Sequence, residues 1–166
     1  AAGVKAVQID EPILAIDLED KHLTAFRRAY KSLTEETDRP ELHLTTYFGD
    51  VSEHLPMIAE FPFDVVHLDL VRAWGQLAKA LEILPKSTRL SLGVVNGRNI
   101  WKANAPEIVS KIKPIIDTLE KDRVIIAPSC SLLHSPVNLN REDRLDPEVK
   151  ERMAFAVQKL AEIKLI

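Results

Sequence analysis

The side chains best suited to chemistry follow one short apolar segment, Val124–Ala127. Three of its four residues are β-branched, which predicts a strand buried on both faces that Pro128 ends. Directly after it come Ser129, Cys130, Ser131 and His134. A polar cluster in this position is typical of an α/β enzyme, which presents its chemistry at the carboxyl end of a parallel sheet.

Cys130 and His134 could serve as a nucleophile and its base. The neighbouring sequence offers no evident carboxylate to orient the imidazole and no evident oxyanion hole. The residues themselves therefore favour a small buried thiol beside a loop histidine. A cysteine-dependent hydrolase remains as an alternative.

Four further segments repeat the same pattern of an apolar run followed by polar residues. The predicted strands are Val4–Ile9, Leu42–Phe48, Val65–Leu70 and Arg89–Val95, and their polar ends are Asp10–Glu11, Tyr47–Asp50, Asp69–Arg72 and Asn96–Asn99. In Leu42–Phe48, His43, Thr45 and Tyr47 share one side, because successive strand residues face opposite sides. By the same rule Asp10 and Glu11 point apart and do not form an acid/base pair.

The remaining candidate groups favour structural roles. The histidines at 22, 43, 54, 67 and 134 have no zinc-ligand spacing. His67 lies in an apolar strand and is expected to be a hydrogen-bonded core residue. Asp69 and Arg72 are expected to form an ion pair that orders their loop. The segment 93–97 has two glycines but not the pattern of a phosphate-binding loop.

Amphipathic segments separate the strands. The first predicted helix has Asp20 as its cap and Leu23, Phe26, Tyr30 and Leu33 on one face. Three further helices are predicted at about 51–60, 74–84 and 106–121. Pro114 is expected to kink or split the last of these. A final helix is predicted to begin with Asp146 as cap and Pro147 in its first turn. Its expected apolar stripe is Val149, Met153, Ala156 and Leu160.

Five strands alternating with helices define an α/β chain with a parallel sheet. A doubly wound sheet and part of a (β/α)8 TIM-type barrel both fit this alternation. Because every strand ends in polar residues, the pattern favours the barrel, whose ligand groups are spread over all strand ends. A whole barrel needs about 250 residues, so the 166-residue chain is expected to be a partial barrel. It begins at Ala1 without Met, as a cut chain would, although Met removal before Ala would look the same.

Composition and charge limit the classes of partner and the compartment that we expect. The net charge of −3 gives no reason to expect nucleic acid. No apolar run approaches a membrane span, and the first residues do not form a secretion signal. A single cysteine favours a reducing compartment, so we expect a cytoplasmic protein.

The strand-end motifs, taken together, resemble the amino-terminal domain of the cobalamin-independent methionine synthase family. The matching segments occur in order along the chain: Val7–Pro12, Leu44–Phe48, His67–Val71, Asn96–Trp101, Ser129–Pro136, and Leu145–Lys150 with Ala154–Ala156. The resemblance implies that residues 1–166 form one segment, about strands four to eight of the amino-terminal (β/α)8 domain. It also implies a parent reaction, the methylation of homocysteine by 5-methyltetrahydropteroyltriglutamate to give methionine.

The resemblance assigns the chemistry to a part of the parent enzyme that is absent here. It implies a carboxyl-terminal catalytic barrel whose zinc holds homocysteine as a thiolate, and a folate polyglutamate that lies between the two barrels. The folate-tail residues of the amino-terminal domain match no position in this chain. We therefore expect no catalytic residue, no bound cofactor and no turnover from these residues alone.

The two barrels of the family arose by duplication, which implies a vestigial site in this one. The positions equivalent to the zinc ligands are Thr45, Tyr47, Asp69 and Cys130, so two of the four are replaced by groups that bind zinc poorly. Arg98 stands where the catalytic barrel has its proton-donating histidine. Asp10 stands where the catalytic barrel has an aspartate that binds homocysteine.

A second hypothesis is a stand-alone module that binds a folate or an amino acid around Asp10, Asp69, Arg72 and Asn96. Either way, a five-stranded slice of a barrel leaves two open edges, at Val4–Ile9 and Val124–Ala127. Open edges favour self-association, so we expect an oligomer unless the terminal segments cover them.

Overall fold

All five strands belong to one parallel sheet in the computed structural model, which describes residues 3–119 and 121–166. They are β1 (Ala6–Asp10), β2 (Glu41–Thr45), β3 (Val65–Asp69), β4 (Arg89–Val95) and β5 (Val124–Pro128), and their spatial order is β1-β2-β3-β4-β5. A doubly wound sheet reverses its strand order, whereas a barrel adds strands in sequence order. The sequential order confirms the prediction of a partial (β/α) barrel.

Six helices lie in the described residues: α1 (Asp20–Thr34), α2 (Leu55–Ile58), α3 (Gln76–Ile83), α4 (Ala105–Ile116), α5 (Pro147–Glu151) and α6 (Ala156–Leu165). Short 3-10 turns occupy Pro12–Ala15, Lys121–Arg123, Leu132–His134 and Leu139–Arg141. No helix among the described residues is long and apolar enough to cross a membrane.

The sheet has one helix-covered face and one concave face. Leu42, Leu44, Val66, Leu68, Leu90 and Leu92 belong to a buried core with residues of α1 to α4. The intervening residues of the same strands point to the other side, where His43, Thr45, His67 and Ser91 line a cavity. The period of two therefore separates the aliphatic core from a polar concave face.

β5 differs from its prediction because it is an edge strand. All five of its residues are half-buried rather than fully buried. Val124 and Ile126 pack against the main core, while Ile125 and Ala127 line the cavity. Its outer edge has no strand neighbour in the described sheet, and neither has that of β1.

Three predicted helices have different bounds. α2 has only four residues, since Pro56 has no N–H to extend the helix backwards. α4 runs unbroken through Pro114 and ends at Ile116, so the proline does not split it, and the helix is shorter than predicted. The helix predicted from Pro147 to Leu160 is two helices, α5 and α6.

The break between α5 and α6 has a tertiary cause. Ala154 N–H donates to Ile100 O at 2.8 Å, and Lys102 N–H donates to Arg152 O at 3.0 Å, which makes a two-stranded bridge in place of helical hydrogen bonds. Val149 and Leu160, expected to be buried, are exposed. The Asp146 cap is confirmed, since its carboxylate accepts the N–H groups of Glu148 and Val149.

α1 begins at Asp20 itself, with Glu19 as the preceding cap residue. Phe26 and Tyr30 are buried as predicted, whereas Leu33 is exposed. The Tyr30 hydroxyl donates to Glu11 Oε1 at 2.6 Å and so ties α1 to the end of β1. Burial and the adjacent Glu11 carboxylate both raise the pKa of Tyr30.

We expect Tyr30→Phe to lower the free energy of unfolding by about 1–2 kcal/mol, because a hydrogen bond to a carboxylate is lost while the ring packing is kept. Chemical denaturation measures the change. Tyr30→Leu serves as a control that also removes the aromatic contacts with Phe26 and Phe63, and it should cost more. Equal losses in both variants would contradict a role for the hydroxyl.

Candidate functional site

The concave face of the sheet encloses a cavity of about 330 Å³. Its lining comes from β1, β2, β3, β4 and β5 and the segment after β5: Gln8, Asp10, His43, Thr45, Tyr47, Val65, His67, Ser91, Ile125, Ala127, Pro128, Cys130 and Ser131. Most of these side chains are polar, and they come from alternate strand positions. The same positions face the interior of a closed (β/α)8 barrel.

Asp10 and Tyr47 meet at the upper end of this cavity. The Tyr47 hydroxyl donates to Asp10 Oδ2 at 3.2 Å, and Gln8 Nε2 donates to Asp10 Oδ1 at 2.7 Å. Partial burial, followed by the Asp10 charge, raises the pKa of Tyr47. Glu11 points to the other face, toward Tyr30, which confirms that the adjacent carboxylates do not work as a pair.

His67 is a fully hydrogen-bonded core histidine, as predicted. Its Nε2 lies 3.3 Å from Ser129 O, and its Nδ1 lies 2.8 Å from Ser91 Oγ. A carbonyl oxygen only accepts, so Nε2 carries the proton and Nδ1 accepts from the Ser91 hydroxyl. Burial lowers the pKa of His67 below its ordinary value. This histidine therefore joins β3 to β4 and to the end of β5 in its neutral form.

Acidification is expected to destabilise the fold through His67. Below pH about 6.5 the unfolded chain binds a proton at this residue that the folded chain does not, so stability falls with falling pH by up to about 1.4 kcal/mol per unit. His67→Gln should flatten that part of the curve, measured by denaturation between pH 7.5 and 5. The exposed His22→Gln is the control and should keep the original slope. An unchanged slope in His67→Gln would exclude this residue as the cause.

Asp69 organises the loops above the cavity. Its side chain is 1% exposed. Oδ1 accepts the N–H groups of Val71 and Arg72 at 3.1 and 3.0 Å, and Oδ2 accepts the N–H of Phe48 at 3.0 Å. The expected ion pair with the Arg72 side chain is wrong: the structure pairs Asp69 with backbone donors, which lie within reach of its short side chain, and Arg72 is exposed.

Phe48 stands at the rim of the cavity in a strained backbone conformation. Its φ of +80° lies in the left-handed region that non-glycine residues rarely adopt. The hydrogen bond from its N–H to Asp69 holds it there. The Arg98 guanidinium lies 4.6 Å from the centre of the Phe48 ring. The centre of the His134 ring lies 5.4 Å from the centre of the Phe48 ring, in an edge-to-face arrangement.

Cys130 is a buried thiol and does not contact His134 through any described hydrogen bond. Its Sγ lies 3.7 Å from Ser131 O. Burial raises the pKa of the thiol, whereas a nucleophilic cysteine needs a lowered one. His134 instead packs on Phe48. The arrangement favours the structural interpretation of both residues over a hydrolase.

One of the four proposed pocket residues lines the cavity. Asp10 lines the cavity. Asp69 accepts three backbone N–H groups, Arg72 is exposed, and Asn96 accepts the N–H of Arg98 at 2.9 Å within its own turn. The cavity lining beside Asp10 includes Gln8 and Ser91. Their alternation with core residues is the one sequence signal that could have selected them.

The four positions that the resemblance equates with zinc ligands do not suit a zinc ion. Thr45 and Tyr47 are neutral oxygen groups, Asp69 already accepts three N–H groups, and burial raises the pKa of the Cys130 thiol. The described residues contain no group of three histidine, cysteine or acidic side chains arranged for a metal.

The fold and its concave polar face define a (β/α)-barrel sheet. Residues 1–120 match the family model described as the N-terminal domain of the cobalamin-independent synthases. The chain belongs to this family.

Known proteins agree with this assignment. The chain is 46% identical over 166 residues to a 5-methyltetrahydropteroyltriglutamate–homocysteine methyltransferase from Caulobacter vibrioides, covering all of this chain and 21% of that protein. A Salinibacter ruber protein of the same name is 47% identical over 163 residues, 98% of this chain and 21% of that protein. The chain thus spans about a fifth of the length of these curated relatives.

A solved structure supports the fold alone. A B12-independent methionine synthase from Shewanella sp. W3-18-1, in complex with selenomethionine, superposes with a TM-score of 0.59 at 14% sequence identity. The superposition covers 98% of this chain and 47% of that chain. It is consistent with this sheet being part of a larger barrel.

Proposed function

We propose that the chain is a non-catalytic segment, about strands four to eight, of the amino-terminal barrel of a cobalamin-independent methionine synthase. The parent reaction would transfer a methyl group from 5-methyltetrahydropteroyltri-L-glutamate to L-homocysteine. The observation that carries this proposal is the match over the whole chain to methyltransferases of that name. The sequential parallel sheet with two open edges supports it, because a closed barrel requires further strands.

The chemistry of the parent reaction would lie outside these residues. It needs a thiolate, and zinc supplies one by lowering the pKa of a bound thiol. Thr45, Tyr47, Asp69 and Cys130 form a vestigial site in this proposal, because the geometry of the strand ends persists while their donor atoms no longer suit zinc. Zinc would be held by a carboxyl-terminal catalytic barrel of the same polypeptide.

The rim of the cavity, where Phe48 and Arg98 lie, is the surface that would face that catalytic barrel and the folate polyglutamate. Exposed apolar side chains occur in the segments after the strands, beginning with Phe48, on which Arg98 stacks, and including Trp101, Leu133 and Val137. Leu133 is 92% exposed, which is unusual for so large an apolar residue unless a partner covers it. The parent enzyme would work in the cytoplasm, because this reducing compartment would keep the Cys130 thiol free.

Replacing Cys130 tests the vestigial site. In the complete protein, Cys130→Ser should keep full zinc content and nearly unchanged methionine formation from the folate triglutamate and homocysteine, because the thiol holds no metal in this account. Zinc content is measured by atomic absorption and methionine by chromatography, with chelator-treated protein as the control for metal loss. Loss of one equivalent of zinc in Cys130→Ser would contradict the proposal.

The isolated 166 residues should form no methionine, with or without added zinc. Their open β1 and β5 edges should lead to self-association, which sedimentation velocity would detect. Calorimetry with folate triglutamate and with homocysteine separates a scaffold from a stand-alone binding module. Binding of either at micromolar affinity would favour the module.

A further inference from the structure

Lys159 is a fully buried lysine on α6, with 0% of its surface exposed. Its Nζ donates to Asn99 Oδ1 at 3.0 Å and to the Trp101 carbonyl oxygen at 2.9 Å. Within the described residues no carboxylate lies within ion-pair distance of it. The nearby Glu162 uses Oε1 to accept the Ala103 N–H at 3.0 Å. The Glu162 charge acts on Lys159 from the same helix, and within the described residues Glu162 Oε2 is buried without a hydrogen-bond partner, but the direct partners of the ammonium are two neutral oxygens. Burying an ammonium against neutral acceptors is costly, so these contacts point to a specific task.

That task concerns the loop after β4, residues 96–101. One end of the loop is fixed to the segment after β5, where Gly97 N–H donates to Ser129 Oγ at 3.2 Å. Gly97 lies so close to Cys130 that a Cβ there would be 2.8 Å from its carbonyl oxygen. The other end is fixed to α6, by Lys159. The loop is therefore held at both ends by different elements.

Arg98 lies between these two anchors. Its guanidinium stacks on Phe48, and it forms no ion pair with any residue that the structure describes. The backbone around Arg98 is also restrained by the Gly97–Ser129 contact, by the turn in which Asn96 accepts the Arg98 N–H, and by the hydrogen bond from Ala154 N–H to Ile100 O. Lys159 adds side-chain contacts at Asn99 and Trp101 to these restraints. The contact between the segments that follow β4 and β2 thus lies on a loop that a side chain from α6 helps to hold.

We propose that Lys159 is a positioning residue: it holds the loop 96–101 so that Arg98 stays stacked on Phe48 at the rim. The rim matters to activity only if the proposed function is right. The positioning itself is a property of this chain and can be measured without activity.

The test is hydrogen exchange of the complete protein carrying Lys159→Met, which keeps the apolar stem and removes the charged donor. Losing two charge-assisted hydrogen bonds is expected to raise exchange of the amides at 98–103 about tenfold or more, while peptides from β3 exchange as before. The exposed Lys164→Met on the same helix is the matched control and should change neither. Uniformly faster exchange, or no change in the loop, would overturn the proposal.

A second variant covers the case in which Lys159→Met does not fold. Asn99→Asp places a carboxylate against the Lys159 ammonium, and exchange in the loop should become slower. Faster or unchanged exchange in Asn99→Asp would also overturn the proposal. In an active complete enzyme, Lys159→Met should raise KM with little change in kcat. If the loop loosens and KM stays the same, the positioning stands and the proposed role of the rim fails.

Discussion

Replacing Asp69 by alanine is expected to lower the free energy of unfolding by about 3 kcal/mol or more, since buried donors left without an acceptor cost roughly 1–3 kcal/mol each. The substitution orphans three backbone N–H groups, those of Phe48, Val71 and Arg72. Water can reach some of them in the variant, so the loss should be smaller than three full penalties. Denaturation with urea measures it.

Asp69→Asn is the matched control, because it keeps the shape and one acceptor oxygen. Its loss should be clearly smaller than that of Asp69→Ala. The backbone at Phe48 should be disturbed more by Asp69→Ala than by Asp69→Asn, since the Asp69 carboxylate holds Phe48 at its positive φ. If Asp69→Ala and wild type unfold within 1 kcal/mol of each other, the carboxylate does not organise these loops.

Gly93→Ala is the second substitution with a large expected effect. A Cβ at this position would lie 2.7 Å from the Leu68 carbonyl oxygen and 2.8 Å from Cε1 of His67. One of these contacts is with backbone in the middle of the sheet, so it cannot be relieved by a rotamer change. We expect a loss of about 2–3 kcal/mol, in the range measured for overpacked cores.

Gly75→Ala provides the comparison for Gly93→Ala. A Cβ at Gly75 would meet nothing within 4 Å, and its φ is negative. Its effect should stay within about 0.5 kcal/mol, as for other unconstrained surface positions. Equal effects at the two glycines would mean that the sheet relaxes around Gly93, and His67 would then not be held in the geometry described above.

Most of the architecture could be predicted because strands and polar ends repeat regularly along the chain. Each predicted strand exists, and the alternation from Leu42 to Thr45 correctly divides core residues from cavity residues. β2 ends at Thr45 rather than at Phe48, which is exposed and has a positive φ instead of continuing the strand. The helix after Asp146 was predicted to be continuous because its pattern of apolar residues is helical. The hydrogen bonds from Ala154 N–H to Ile100 O and from Lys102 N–H to Arg152 O outweigh that local preference for a helix.

The site was less predictable because it depends on backbone groups. Asp69 was expected to pair with a charged side chain nearby in sequence, but three N–H groups lie closer to its carboxylate. Lys159 gave no signal at all, since a lysine in an amphipathic helix is usually exposed. Its partners, Asn99 and the Trp101 carbonyl, are about sixty positions away along the chain.

The crystal structure of the complete protein with zinc tests the central claim most directly, with the metal located by anomalous scattering. We predict that β1 and β5 each pair with a parallel strand of the same polypeptide, closing an eight-stranded barrel, and that zinc lies outside residues 1–166. An unpaired β1 edge, or zinc bound by Asp69 and Cys130, would contradict it.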